Sequence, residues 1–375
     1  MIKNKSKKKF LFILNTDKFL LSHRIEIATE LLKNDYEVHL GSAKTEASKE
    51  INDLGIKTHQ LYINRSKTGI LDIFLTAFSI YRLIKKIKPE IVHFISIKPV
   101  LLGCLASNFY SKKLKIIASI SGLGFIFVDK GILAKLRRFL ICSLYKISLS
   151  NKKISIIFQN ETDKLFVSTL CNLSQDQSFI IKGSGVNLEK FKPLKYYSDK
   201  KIVLLPSRIV KSKGILEFIE AAKFLKGQSR FIICGDFDME AKDKISEKII
   251  EKNIREKNIE YWGFKKNMAD IYKYCSIVVL PSYREGLPKA LCEASACGKP
   301  IVTTNVPGCR DAIIKNQTGI LVPPRDFLSL AMAIKKLLND KKLSRSMGIK
   351  GRINAEENFN IHKVVESHIN IYKRI

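Results

Sequence analysis

The chain has 375 residues, which is enough for two domains of ordinary size, each with its own core. Hydrophobic residues make up 46% of the sequence, yet no run of about eighteen uncharged apolar residues occurs, so the composition indicates a soluble globular protein and argues against a membrane-spanning helix. The formal net charge of +31 favours a polyanionic partner, either nucleic acid or an anionic bilayer.

Apolar runs of the β type alternate with helical patterns along the first half, as in repeated βαβ units with mainly parallel strands. The basic N-terminus followed by a short apolar run lacks a cleavage site, so we interpret that run as a first strand and not as a signal peptide. The strands predicted in this half are Phe10–Leu14, Glu37–Gly41, Ile91–Phe94, Ile116–Ile120, Ile154–Phe158 and a short one at Phe179–Ile181.

A second alternating series follows a polar segment that contains Pro193. Its predicted strands are Ile202–Leu205, Phe231–Cys234, Ile259–Tyr261, Ile277–Leu280, Ile301–Thr303 and Ile320–Leu321. We therefore predict an α/β fold with a first domain at residues 1–188, a linker at 189–200 and a second domain at 201–358. Ligands of two such domains are expected at the carboxyl ends of the strands, in a cleft between them.

The basic residues are concentrated in one part of the first half. Between Leu71 and Lys153 there are fifteen Lys or Arg residues and three acidic ones. The densest part, Lys130–Leu149, has apolar residues at helical spacing with basic residues between them, which is typical of a helix that lies on a membrane surface. A core-facing helix with an ordinary basic outer face, or a general bias of composition, remains the alternative.

The eight cysteines form no CxxC pair and no Cys/His cluster at metal-ligand spacing. Most lie in apolar context. We expect them to be small core residues in a reducing compartment.

Two glutamates eight positions apart, Glu285 and Glu293, lie where the apolar strand Ile277–Leu280 turns into a helix. Gly286 permits a tight backbone approach and Pro288 suits the first helical position, so unpaired amides there are expected to face an anion. Taken alone, the pair also fits a helix-start charge and a solvated helical face.

The surrounding run, from Pro281-Ser-Tyr-Arg-Glu-Gly-Leu-Pro to Asn305-Val-Pro-Gly and then Gly319-Ile-Leu-Val-Pro-Pro, resembles the donor-sugar site of family 4 glycosyltransferases. That resemblance implies a retaining enzyme of the GT-B fold, with two Rossmann-like domains facing a central cleft and a C-terminal helix, residues 359–375 here, that returns to the first domain. It also implies a nucleotide-sugar donor and no metal or other cofactor. Neither glutamate is assigned as a nucleophile, because such enzymes are thought to act by front-face attack.

A basic loop, Pro206–Gly214, follows a strand and resembles the phosphate-binding loop of the same family. In it, Arg208 offers a planar fork and Lys213 a compact charge, which together can neutralise a diphosphate leaving group. The resemblance assigns Arg208, Lys213 and Glu285 to catalysis, with Glu285 on the hydroxyls of the donor sugar. The residues implied in donor binding are Gly263, Phe264, Gly286, Leu287, Pro288 and Glu293, of which Glu293 takes the ribose hydroxyls. Trp262, beside them, is alternatively a core residue.

Asp236 and Asp238 flank a single residue after the predicted strand Phe231–Cys234. Two aspartates so placed hold a metal ion in the other major glycosyltransferase fold. We interpret them as a turn or a helix cap.

The first half contains His23-Arg24 after its first strand, and later Val92-His93-Phe-Ile-Ser-Ile-Lys98-Pro99 and Ser119-Ile-Ser121-Gly122-Leu-Gly124. With these segments it resembles a bacterial subgroup that builds O-antigens and related glycans on polyprenyl diphosphate carriers. The residues implied in acceptor binding are His23, Arg24, His93, Lys98, Ser121 and Gly122. Arg24 is expected to meet a carrier phosphate, whereas His93 is equally well explained as a hydrogen-bonded core residue. Ser121 stands where many family members have an active-site histidine.

The sequence thus predicts transfer of a sugar, with α-1,3-N-acetylgalactosamine as the best single choice, from a UDP-sugar to a polyprenyl-diphosphate-linked saccharide. The enzyme is expected on the anionic cytoplasmic face of the inner membrane, with no nucleic acid as partner. Another hexosyl- or N-acetylhexosaminyltransferase, a non-hydrolysing UDP-sugar epimerase and a basic nucleic-acid-binding protein are the alternatives.

Overall fold

A computed structural model describes residues 7–64, 69–110, 113–124, 127, 131–194 and 201–375. Part of the predicted linker at 189–200, the N-terminal residues 1–6 and Lys130 lie outside this range. The chain forms two compact units, one of residues 1–184 with 364–375 and one of residues 185–363. We call them the first and the second unit.

In the first unit, seven described strands form one parallel sheet in the order β3-β2-β1-β4-β5-β6-β7. These strands are β1 Lys8–Thr16, β2 Tyr36–Ala43, β3 Lys57–Gln60, β4 Ile91–Ile95, β5 Lys115–Ile120, β6 Ile154–Phe158 and β7 Ser178–Ile180. Its helices are α1 Asp17–His23, α2 Ile25–Lys33, α3 Ala47–Asp53, α4 Ile70–Ile87, α5 Ile97–Asn108, α6 Ile132–Ser148 and α7 Glu161–Cys171.

In the second unit, six described strands form a parallel sheet in the order β10-β9-β8-β11-β12-β13. The strands are β8 Ile202–Pro206, β9 Arg230–Cys234, β10 Glu260–Tyr261, β11 Ile277–Leu280, β12 Ile301–Thr304 and β13 Gly319–Val322. The helices that follow are α8 Ile215–Phe224, α9 Glu247–Arg255, α10 Met268–Tyr274, α11 Lys289–Ala296, α12 Phe327–Asn339, α13 Lys341–Asn358 and α14 Ile361–Arg374. Most of α14 belongs to the first unit.

Each sheet is buried on both faces, which explains its continuous apolar strands. Along β1, Leu11 and Ile13 enter one core cluster, whereas Phe10 and Phe12 enter a second cluster on the opposite face. Tyr372 of α14 joins that second cluster, with its ring 4.9 Å from the ring of Phe10. The prediction of an α/β fold with two parallel-sheet units is confirmed.

Candidate active site

Three loops meet at the carboxyl ends of β8, β11 and β12 in the second unit. The strands β8 and β11 are neighbours at the point where the strand order reverses, which is where open α/β sheets bind their ligands. Backbone hydrogen bonds join the loops: Tyr283 N donates to Ser212 O at 2.9 Å, and Glu285 N donates to Pro307 O at 3.1 Å. The loops therefore form one continuous surface at this edge.

Two glycines make this close approach possible. Gly214 has φ +71°, and a Cβ there would lie 2.2 Å from the carbonyl oxygen of Pro281. Gly308 has φ +81°, and a Cβ there would lie 2.5 Å from the carbonyl oxygens of both Glu285 and Gly286. Both positions need glycine for its conformational freedom and for its lack of a side chain. Gly308 belongs to the run that carries the family resemblance, but no role was predicted for it.

Lys213 and Glu285 form an ion pair across these loops. The two residues are 72 positions apart in the chain, and their side chains are only 18% and 13% exposed. The structure therefore brings together the predicted diphosphate cation and the predicted sugar-binding carboxylate. At this edge the ammonium group can bind an anionic part of a ligand, and the adjacent carboxylate can accept hydrogen bonds from hydroxyl groups of the same ligand.

Arg208 pairs with Asp238 through its Nη1 atom. The side chain of Arg208 is 50% exposed, whereas that of Asp238 is 12% exposed. The structure thus gives Asp238 a partner that neither the turn interpretation nor the metal alternative had named. Within the described residues, no group of three or more His, Cys, Asp or Glu side chains is arranged to hold a metal ion.

Glu293 lies on α11 and is buried, so a solvated helical face is the wrong description of it. The hydroxyl of Tyr272 donates to its Oε2 at 3.3 Å, and Lys289 Nζ lies 3.9 Å from its Oε1. Burial raises the pKa of this carboxyl, and Lys289 opposes the shift. Pro288 is also placed differently from the prediction, because its extended ψ of 115° makes it the N-cap and the helix begins at Lys289.

Two of the predicted donor-binding residues, Gly263 and Phe264, follow β10. Gly263 has φ +64°, and its carbonyl oxygen accepts from the backbone N of Gly235 at 3.0 Å. Phe264 is 65% exposed, whereas Leu287, from the loop before α11, is buried. Trp262 packs against the core as the alternative interpretation expected, with its Nε1 donating to Glu260 at 3.2 Å. Contact of Gly263, Phe264 and Leu287 with the donor stays a prediction.

In the first unit, the predicted acceptor residue His93 lies within β4 and is fully buried. Its Nε2 is 2.6 Å from Ser119 Oγ, and its Nδ1 is 2.9 Å from the hydroxyl of Tyr372. Burial, helped by the nearby His368 and Arg24, holds the pKa of His93 well below its ordinary value. These contacts are those of a hydrogen-bonded core histidine, which was the alternative interpretation.

Arg24 is also buried, with 2% exposure, and its Nη1 donates to the carbonyl oxygen of His23 at 2.8 Å. Burial lowers the pKa of Arg24 to about 10. The ring of His23 stacks on Phe19, with ring centroids 4.2 Å apart. In this structure the guanidinium lies inside the unit, and its contact with a carrier phosphate stays a prediction.

The remaining acceptor candidates surround the carboxyl ends of β4 and β5. Lys98, in the first turn of α5, donates to the carbonyl oxygen of Asn64 at 2.7 Å, and burial lowers its pKa. Ser121 Oγ is buried without a hydrogen-bond partner among the described residues, and Gly122 has φ +114°. Ser96 is strained, because its φ of 81° is rare for a residue other than glycine, and no local sequence pattern indicates this strain.

Helix α6 packs one face against the core, where Tyr145 belongs to a core cluster and Ile141 and Leu144 lie against it. The alternative of a core-facing helix therefore holds for this face, but the outer face carries large apolar side chains as well as basic ones. Six large apolar side chains of α6 are 54% to 86% exposed, namely Ile132, Leu133, Leu136, Phe139, Leu140 and Ile147. The helix also carries four basic residues and no acidic one. None of the described helices is long and apolar enough to span a membrane.

Comparison with known proteins identifies the family of this chain. The family profile described as "Glycosyl transferases group 1" matches residues 186–354, and the profile "Glycosyl transferase 4-like" matches residues 9–161. The chain belongs to the group 1 glycosyltransferases. This glycosyltransferase has the GT-B fold: it superimposes on sucrose-phosphate synthase from Thermosynechococcus elongatus with a TM-score of 0.82 at 20% identity, over 98% of this chain and 99% of the other.

Two curated relatives of this glycosyltransferase are similar over most of their length. One is the N,N'-diacetylbacillosaminyl-diphospho-undecaprenol alpha-1,3-N-acetylgalactosaminyltransferase of Campylobacter jejuni, 28% identical over 94% of this chain and 95% of the relative. Another is the UDP-Gal:alpha-D-GlcNAc-diphosphoundecaprenol alpha-1,3-galactosyltransferase of Escherichia coli, 27% identical over 78% of both chains. Both relatives are named for acceptors linked to diphospho-undecaprenol.

Proposed function

We propose that this enzyme is a retaining transferase that moves N-acetylgalactosamine from its UDP-sugar to a polyprenyl-diphosphate-linked saccharide, in an α-1,3 linkage. The product would serve a bacterial surface glycan such as an O-antigen. The observation that carries the donor part is the Lys213–Glu285 pair at the strand-order reversal of the second unit. The similarity to the Campylobacter jejuni transferase over 94% of the chain supports the choice of sugar and acceptor.

In the proposed reaction, the bond between the anomeric carbon and the diphosphate oxygen breaks, and negative charge develops on the diphosphate. Lys213 and Arg208 neutralise that charge, so no metal ion is needed. Glu285 accepts hydrogen bonds from the donor sugar, and Glu293 accepts from the ribose hydroxyls. The acceptor hydroxyl attacks from the face that the diphosphate leaves, and its proton passes to the departing diphosphate oxygen. Bond formation on this face retains the anomeric configuration.

We further propose that α6 docks the enzyme on the anionic cytoplasmic face of the membrane that holds the acceptor. Its exposed apolar side chains would enter the interfacial region while its basic residues meet lipid phosphates. The same charge would also suit a nucleic acid, but duplex DNA offers no apolar phase for six large apolar side chains.

The transferase assay combines the purified protein with a panel of UDP-sugars and synthetic polyprenyl-diphosphate saccharides. We expect UDP release only when both substrates are present, with UDP-N-acetylgalactosamine giving the highest rate and an α-1,3 product by NMR. Consumption of UDP-sugar without acceptor would indicate the epimerase instead. Glu293→Ala is the control for donor binding, and undiminished UDP affinity in this variant would contradict the donor site.

The membrane assay measures binding to vesicles of phosphatidylglycerol and phosphatidylcholine. We expect Phe139→Ser with Leu140→Ser to weaken binding by at least about tenfold, because each exposed side chain contributes roughly 1.5–3 kcal/mol when it leaves water. Ile349→Ser, at a 51% exposed position of α13, is the matched control and should bind as the unmodified protein does. Equal binding by all three proteins, or tight binding to duplex DNA with a steep salt dependence, would contradict docking through α6.

A further inference from the structure

The loops that follow β8 and β9 continue the parallel pairing of the two strands. Ser207 N donates to Cys234 O at 3.0 Å, and Ile209 N donates to Asp236 O at 2.8 Å. A Cβ at Gly235 would lie 2.0 Å from the carbonyl oxygen of Ser207, so the loops are as close as two backbones can be. These backbone contacts hold the loop after β8 and the loop after β9 in a fixed position relative to each other.

One ion pair, Arg208 with Asp238, joins the side chains of these two loops. Asp238 is the more buried partner, at 12% exposure, whereas half of the Arg208 side chain is exposed. Among the described residues, Nη1 is the one nitrogen of Arg208 with a hydrogen-bond partner. A guanidinium carries five N–H groups in a rigid plane, so a carboxylate that holds one edge leaves donors on the other edge for a ligand.

We propose that Asp238 is a positioning residue that orients the guanidinium of Arg208 toward the donor diphosphate. This inference rests on the proposed role of Arg208 in neutralising that diphosphate. A half-exposed arginine without a fixed partner samples many rotamers and must lose this freedom at the moment of reaction. Asp238 restricts the side chain beforehand, and the charge then faces the place where negative charge develops.

This role has a kinetic signature. The interaction of Arg208 with the diphosphate becomes stronger as the sugar leaves, so its misorientation lowers kcat more than it raises the donor KM. If Asp238 were merely structural, its replacement would lower the stability of the protein without lowering kcat more than it raises the donor KM. Because Asp238 acts through Arg208, its contribution must also disappear when Arg208 is absent.

The test compares Asp238→Asn, Asp238→Glu and Asp236→Asn in transferase kinetics. We expect Asp238→Asn to lower kcat about tenfold with less than about a twofold change in donor KM, as for the loss of part of one charge-stabilising contact. Asp238→Glu keeps the charge and should recover part of kcat. Asp236→Asn is the matched control in the same loop and should have wild-type kinetics, since its backbone carbonyl and not its side chain joins the loops.

A double-mutant cycle separates this inference from the proposed function. Asp238→Asn added to Arg208→Ala should cause no further loss of kcat. Wild-type kcat in Asp238→Asn, or the same loss with and without Arg208, overturns the positioning role. Wild-type kcat and UDP affinity in Arg208→Ala itself would overturn the proposed diphosphate role instead. Melting temperatures identify any variant that fails to fold, and Asp238→Glu then takes the place of Asp238→Asn in the cycle.

Discussion

Replacing Lys213 with alanine is expected to lower kcat/KM for the donor by about 10²–10³-fold, with little change in the acceptor KM. The ammonium group lies at the strand-order reversal and pairs with Glu285 in a site that is largely withdrawn from solvent. Its removal takes a positive charge away from the leaving diphosphate and also leaves the Glu285 carboxylate without its cation. Steady-state kinetics with each substrate varied in turn measure both effects.

Two further variants give this prediction its controls. Lys213→Arg keeps the charge but changes its shape, and should lie between alanine and the unmodified protein. Lys223→Ala breaks a solvent-exposed pair with Glu220, whose side chain is 2.8 Å from the ammonium group, and should leave kcat/KM unchanged. Unaltered kinetics in Lys213→Ala, or an equal loss in Lys223→Ala, would contradict the role given to Lys213.

The strands were predictable because the sheets are buried on both faces. Ile154–Phe158 and Ile277–Leu280 have the predicted bounds, since a run of β-branched and aromatic residues between two helical layers is visible without its partners. The strand β3, Lys57–Gln60, was missed for the opposite reason. It lies at the edge of its sheet, its residues are exposed or half-buried, and its sequence Lys-Thr-His-Gln has no apolar side chain.

The donor loops were predictable in position but not in their contacts. Arg208, Lys213 and Glu285 follow predicted strands, and the carboxyl ends of parallel strands share one edge of a sheet. The partner of each charge is set by tertiary packing over a long stretch of chain, 72 residues for Lys213 with Glu285 and 30 for Arg208 with Asp238. No local pattern specifies such pairs.

The tertiary contacts of the acceptor candidates were even less predictable from local sequence patterns. From the sequence, Arg24 and His93 were predicted to bind the acceptor, with Arg24 on a carrier phosphate. Tyr372, 279 positions from His93, bonds to that histidine in the core, and Arg24 is buried in the same unit. The return of α14 to the first unit was predicted, but the side chains that it would bury were not.

Gly308→Ala is expected to weaken UDP binding and kcat together by about 10²-fold, because a shift of about 1 Å in a positioning loop has an effect of that size. The new Cβ would lie 2.5 Å from the carbonyl oxygens of Glu285 and Gly286, so the backbone that carries Glu285 must move. The left-handed φ of +81° adds its own strain, which by itself costs about 1–2 kcal/mol of stability. Calorimetric UDP titration, melting temperature and kinetics measure the three consequences.

Gly227→Ala separates the strain from the collision. Gly227 has the same φ of +81°, but a Cβ there would meet nothing within 4 Å. It should therefore lose stability through its backbone conformation alone and keep its UDP affinity and kcat. If the two alanine variants lose the same stability and Gly308→Ala retains UDP affinity, then the close contact of Gly308 with the Glu285 loop does not position the donor site. If only Gly308→Ala loses affinity, then the position of the Glu285 loop, and with it UDP binding, depends on the absence of a side chain at residue 308.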